Sequence, residues 1–136
     1  MKQISKTTLL FITLVLFSCS KEDNPADAGM NVGVAGQMQN SSIQATILHA
    51  ELLFDGKVIA SYNSQAASAL VSLSGGATSV SKGQHTVSFR IVNQTTSPST
   101  YEVNIVRVEA NNAAQNLFPG KKALANGESI SVSVDL

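Results

Sequence analysis

The sequence predicts an all-β chain, folded as an antiparallel β-sandwich of about seven or eight strands behind a short targeting segment and a tether. Three observations predict it. Beyond residue 40 apolar and polar residues alternate with a period of two, turn residues recur every eight to twelve positions, and no stretch keeps a helical period over a useful length. Ser64 to Leu70, with its alanines, comes nearest and leaves room for a short helix.

Residues 1–18 carry Lys2 and Lys6 ahead of an apolar run from Thr7 to Phe17, the layout of a secretory signal. Crossing about 30 Å of hydrocarbon takes roughly twenty apolar residues, so this run is too short for a permanent span. Residues 19–40 are rich in Gly, Ala, Asn and Asp, with Pro25, Gly29, Gly33 and Gly36 scattered through them. They read as a flexible tether with a mean reach of about 25 Å. The spacing of Gly29 and Gly33 fits G-x-x-x-G, which has meaning only inside an apolar spanning helix.

Residues 41–136 form the predicted domain. Leu48, Ala50, Leu52 and Phe54 make its first strand, and Asp55-Gly56 turns the chain into Val58 to Tyr62. A two-residue loop there pairs Phe54 with Lys57 and sets Ile59 beside Leu52. A three-residue loop instead aligns Phe54, Val58, Ala60 and Tyr62, and both registers stay open. Ala67 to Ser74 is a weaker strand ended by Gly75-Gly76, and Thr78 to Ser81 is a short piece before Lys82-Gly83. Val87, Phe89 and Ile91 alternate with Thr86, Ser88 and Arg90; Tyr101, Val103 and Ile105 alternate with Glu102 and Asn104. Asn116 to Phe118 and Lys122 to Leu124 flank Pro119-Gly120. Asn126-Gly127 leads into the last strand, where Ile130, Val132, Val134 and Leu136 alternate with Ser129, Ser131, Ser133 and Asp135. Such a series resembles a sandwich of the immunoglobulin or fibronectin type in architecture; Trp and a cysteine pair, the antibody-domain hallmarks, are both missing.

Several strands hold apolar doublets, among them Leu52-Leu53, Ile91-Val92 and Ile105-Val106. One member of each must face away from the core, which makes Leu53, Val92 and Val106 candidates for an outward partner patch.

The run Leu16-Phe17-Ser18-Cys19 resembles the lipobox of bacterial lipoproteins, and the likeness extends over about the first 23 residues. It implies cleavage before Cys19, with a diacylglycerol and an N-acyl chain on that residue. Phe17 stands where the commonest lipobox has a small residue. Bulky residues at that place are familiar in lipoproteins of the Bacteroidota type, whose exported members carry a lysine and acidic residues just after the cysteine. Lys21, Glu22 and Asp23 match that export signal, and the resemblance then implies the outer face of the outer membrane. Each buried acyl methylene contributes about 0.8 kcal/mol, so several chains anchor the protein stably.

Processing at Cys19 leaves 118 of the 136 residues, enough for one domain with its own core. The whole chain has nine basic and nine acidic residues; without Lys2 and Lys6 seven basic ones remain, a formal −2. That balance gives no support to nucleic-acid binding. With Cys19 acylated no thiol is left for a disulfide, although the compartment permits one.

Catalytic motifs are sparse. Ser79-Val80-Ser81-Lys82 matches S-x-x-K but precedes a turn, and no S-D-N or K-T-G follows it. His49 and His85 are the only imidazoles, with no H-E-x-x-H to recruit them to zinc. His49 shares a strand face with Glu51, opposite the apolar one, and reads as a solvated side chain; His85, at a strand start, reads the same way. Asp23, Asn24 and Asp27 lack the order of a calcium loop, and Lys121-Lys122 is a small basic turn. No cofactor beyond the covalent lipid is expected.

The expected function is therefore a lipid-anchored, non-catalytic binding, adhesion or accessory module, held to the membrane by Cys19. Loops such as Gln94 to Thr100 or Asn111 to Gln115, or an edge strand, can meet a partner. With Trp absent and only Tyr62 and Tyr101 as tyrosines, a protein partner is favoured over a glycan. The alternatives are a periplasm-facing accessory subunit of an outer-membrane assembly and, more remotely, a small hydrolase.

Overall fold

The computed structural model describes residues 29–136, so Cys19, Lys21, Glu22 and Asp23 lie outside the described residues. The strand segments are β1 (Met30–Asn40), β2 (Ile47–Phe54), β3 (Lys57–Ser68), β4 (Leu70–Val80), β5 (Gln84–Gln94), β6 (Ser99–Val103), β7 (Val106–Ala110), β8 (Ala113–Leu117), β9 (Gly120–Leu124) and β10 (Ser129–Asp135). They build a larger sheet in the order β8-β7-β1-β6-β9, with β4 on the other side of β1, and a smaller sheet β10-β5-β2-β3. All pairings are antiparallel.

The ten segments follow eight strand paths. β6 and β7 run end to end along one side of β1, because Glu102 lies opposite Gln39 and Val106 opposite Gly36. Three steps on β1 thus match four on its neighbour, and the extra residue is a β-bulge at Asn104-Ile105. β8 and β9 continue one another in the same way, parted at Phe118-Pro119, where proline has no N–H to give the ladder. Asn111 and Asn112, both at positive φ (50° and 62°), make the two-residue turn between β7 and β8, as a type I′ hairpin requires.

The architecture is the sandwich the periodicity predicts, with its own strand order. An immunoglobulin domain sends its second and third strands to opposite sheets; here β2 and β3 form a hairpin within one sheet. That hairpin combines features of both registers. Asp55 and Gly56 form the two-residue turn and Phe54 pairs with Lys57, but a bulge then sets Ala60, not Ile59, opposite Leu52. Ile59, Ala60 and Tyr62 consequently all pack, partly buried, against the core.

Three expectations are corrected. The tether does not run to residue 40: Met30–Asn40 is β1, paired with β4 on one side and with β6 and β7 on the other. Its Val32, Val34 and Met38 are buried, so the domain takes in β1 and starts at Met30 instead of residue 41. Gly75-Gly76 does not end a strand but lies inside β4, opposite Val34 and Gly33. A Cβ on Gly75 would stand 2.2 Å from the carbonyl oxygen of Ile59, so only glycine lets β4 pass this close to β3. Ser64 to Leu70 is extended, shared between β3 and β4, with no helical turn.

Between the sheets lie Phe89, Tyr101, Met38, Leu52, Ile91 and Leu124, all fully buried. Tyr101 also carries a polar chain through the core. The Asn40 side-chain amide donates to Thr46 Oγ1 (3.0 Å), whose hydroxyl donates to Tyr101 Oη (2.9 Å). Tyr101 donates to Gln94 Oε1 (2.7 Å), and Gln94 Nε2 donates to the Leu124 carbonyl (2.9 Å). This chain ties the loop after β1 to β5, β6 and β9, and every hydroxyl in it both accepts and donates. Tyr101→Phe should cost about 1–3 kcal/mol in urea unfolding, because the Gln94 and Thr46 groups lose a buried partner that water cannot replace.

Candidate functional site

Polar side chains line several depressions among the described residues, and two of these combine them with apolar shoulders or with a largely buried imidazole. The first is the outer face of the larger sheet. Strict alternation from Tyr101 and Val103 would bury Ile105, but the bulge inverts the phase, so Ile105 turns outward (48% exposed) and Val106 turns into the core. Leu70, at the start of β4, is also exposed. The two flank a groove of about 540 Å³ crossing β4, β1 and the β6–β7 path, with Gln37, Gln39, Glu102 and Asn104 on its walls. Small residues Ala35, Ser72 and Ser74 form part of its lining. Gln37 Nε2 donates to Ser72 Oγ at 2.9 Å, and Arg107 Nε donates to Glu109 Oε1 at 2.7 Å beside the groove. Amides, hydroxyls and two apolar shoulders can hydrogen-bond a polar backbone while covering an apolar side chain; no nucleophile and base are paired there.

The outward patch predicted from the doublets is not formed. Val106 is fully buried, for the reason just given. Leu53 does point away from Leu52 and Phe54, yet it is covered (4% exposed) between its cross-strand neighbours Val58 and Ser88. Val92 falls in a register shift of β5, where Ile91 pairs with Ala50 and Asn93 with His49, and is half-buried. Among the described residues the exposed large apolar side chains are instead Leu70, Ile105, Val58, Ile43 and Phe118.

The second place is one end of the sandwich, where a cavity of about 350 Å³ is lined by Phe54, Asp55, Lys57, Thr78, Ser81 and His85 among others. His85 Nδ1 lies 2.6 Å from Asp55 Oδ2, and its Nε2 lies 3.0 Å from the Ser81 main-chain oxygen. The Phe54 ring stacks on the imidazole with centroids 5.2 Å apart. The His85 side chain is only 10% exposed, so the expectation of a solvated histidine is corrected. An aspartate, a histidine and serines thus share a cavity, but the geometry is not that of a triad. A catalytic imidazole turns its second nitrogen to a hydroxyl; His85 turns it to a carbonyl, and Ser81 contributes its main chain.

Both groups titrate away from their ordinary values. The hydrogen bond to Asp55 pushes His85 up; burial opposes it, and the Ser81 carbonyl and the charges of Asp55 and Asp135 add to the rise. Burial pushes Asp55 up, but the His85 hydrogen bond, the Thr86 amide and the His85 charge together bring it below its usual value. Because His85 is raised on folding, its contribution is complete below its unfolded value of 6.5 and is lost as pH climbs through the folded value. Asp55, being lowered, contributes above its unfolded value of 3.8 and stops as pH falls through the folded one. The pair is therefore fully effective between these unfolded values. Thermal unfolding should show a Tm that falls between pH 6 and pH 8, and His85→Gln should flatten that slope.

His49 approaches Glu51 (3.7 Å), which in turn binds Arg90 opposite it on β5. This outer-face cluster holds one carboxylate, and among the described residues no three metal-ligating side chains come together. No protein-family model matches the chain, and no curated protein or solved structure does either.

Proposed function

We propose that this chain is an outer-membrane lipoprotein, acylated at Cys19 and facing the cell exterior, that displays a non-catalytic β-sandwich for binding or adhesion. The observation that carries the reading is the octet Leu16 to Asp23, in which an apolar segment ends at the only cysteine and a Lys-Glu-Asp cluster follows at once. The domain beyond supports it: β1 starts at Met30, so a segment of about ten residues separates Cys19 from a sandwich that needs no disulfide. The groove flanked by Leu70 and Ile105 is the surface offered to a protein partner, in place of Leu53, Val92 and Val106.

Lys21, Glu22 and Asp23 decide which side of the membrane is meant. Replacing all three by alanine should leave palmitate incorporation unchanged and abolish protease shaving of the domain from intact cells. Shaving that persists at the original rate assigns the export signal elsewhere. A domain protected in the unsubstituted chain favours instead an accessory subunit facing the periplasm.

A further inference from the structure

The His85 imidazole lies between two acceptors. Asp55 Oδ2 faces Nδ1 at 2.6 Å and the Ser81 carbonyl faces Nε2 at 3.0 Å. A neutral imidazole has one N–H and an imidazolium two, so only the charged ring donates in both directions. The two sides are not equally fixed. Asp55 is held firmly: its Oδ1 accepts the Thr86 amide at 2.9 Å, and its own amide donates to the Thr86 carbonyl at 2.8 Å. Ser81 stands in the short link between β4 and β5, at the wall of the cavity, just after Ser79 with its φ of 57°. When the ring loses a proton, the carboxylate retains the Nδ1–H, and the bare Nε2 then confronts a carbonyl lone pair.

We propose that His85 is a proton-operated latch: doubly protonated, it ties the β4–β5 link to the β2–β3 turn at the wall of the end cavity, and neutral, it releases Ser81 and frees that link to move. Charged groups of both signs surround the ring. Asp55 on the β2–β3 turn and Asp135 on β10 favour the proton. Lys57 on β3 lines the same cavity, and Lys82 is the cation of the link itself. Phe54 covers one ring face, leaving loss of the Ser81 bond as the way the change is expressed. The backbone pair between Gly83 and Leu136, 2.8 and 2.9 Å, lies beside the latch and reports on it.

The test is a titration of the processed chain by NMR, reading the His85 ring nitrogens and the exchange of the Gly83 amide at each pH. The latch predicts that Nε2 is the nitrogen that loses its proton. Gly83 then loses protection beyond the base-catalysed rise common to all amides, with the midpoint of His85. In Asp55→Asn both midpoints move down together. Deprotonation at Nδ1, or Gly83 exchange that follows only the base-catalysed rise, overturns the proposal. The titration of the unsubstituted chain alone decides if the variant does not fold.

Discussion

Cys19→Ser is expected to abolish lipid attachment completely: no palmitate enters the chain, residues 1–18 stay uncleaved, and no mature form reaches the outer membrane. On the proposed lipoprotein reading of Leu16 to Cys19, the thiol is the acceptor of the first lipid and cleavage follows that step, so a hydroxyl would halt the whole sequence. The size of the effect follows from acyl chemistry. At about 0.8 kcal/mol per buried methylene, two or three chains on Cys19 would hold the protein essentially permanently, and the serine variant would lose all of that contribution. Labelling with radioactive palmitate and the mass of the isolated chain check it. Palmitate on the serine variant would refute acylation at Cys19.

The largest effect within the domain belongs to the contact between Phe89 and Gly36. The Phe89 ring, 1% exposed, reaches across the core to β1, and a Cβ on Gly36 would stand 2.8 Å from its Cζ and 3.2 Å from the Ile105 carbonyl oxygen. Phe89→Ala should cost about 3–5 kcal/mol in urea unfolding, through lost burial and the void left over Gly36. Gly36→Ala should cost about 1–3 kcal/mol by overpacking. The two are in contact, so their effects should not add: with the ring removed, the alanine methyl at residue 36 has space, and the double variant should be more stable than the sum of the single losses predicts. Strict additivity would show that the ring is not what excludes a side chain there.

This contact also explains why part of the fold was hidden in the sequence. Val32, Val34 and Met38 alternate with Asn31, Gly33, Ala35 and Gln37, a sound strand signal, but Gly36 interrupts it where an apolar side chain is expected. The missing volume is supplied by Phe89 from the other sheet, which no local pattern reveals. Small outward residues then made a central strand look like a tether. β5 as far as Ile91, and β10 throughout, were legible because buried and less buried residues alternate there. The phase of β6 and β7 was not, since a one-residue bulge leaves composition unchanged while exchanging Ile105 for Val106 in the core.

The sites divide along the same line. Cys19 and its charged neighbours could be proposed from the sequence because the resemblance they carry is linear. The groove and the His85 cluster are assembled from residues far apart in sequence: Asp55 and His85 are brought together only by the pairing of β2 with β5, which sets Phe54 opposite Val87. A useful clue was present in the Asp55-Gly56 turn, since an aspartate there has a free carboxylate for whatever strand start lies beside it.

The central claim, display of this domain on the cell exterior, is tested most directly by treating intact cells with a membrane-impermeant amine reagent and reading modification at Lys57 and Lys121, both exposed on the sandwich. Surface display predicts full modification of both without permeabilising the outer membrane. Modification that appears only after permeabilisation would contradict it.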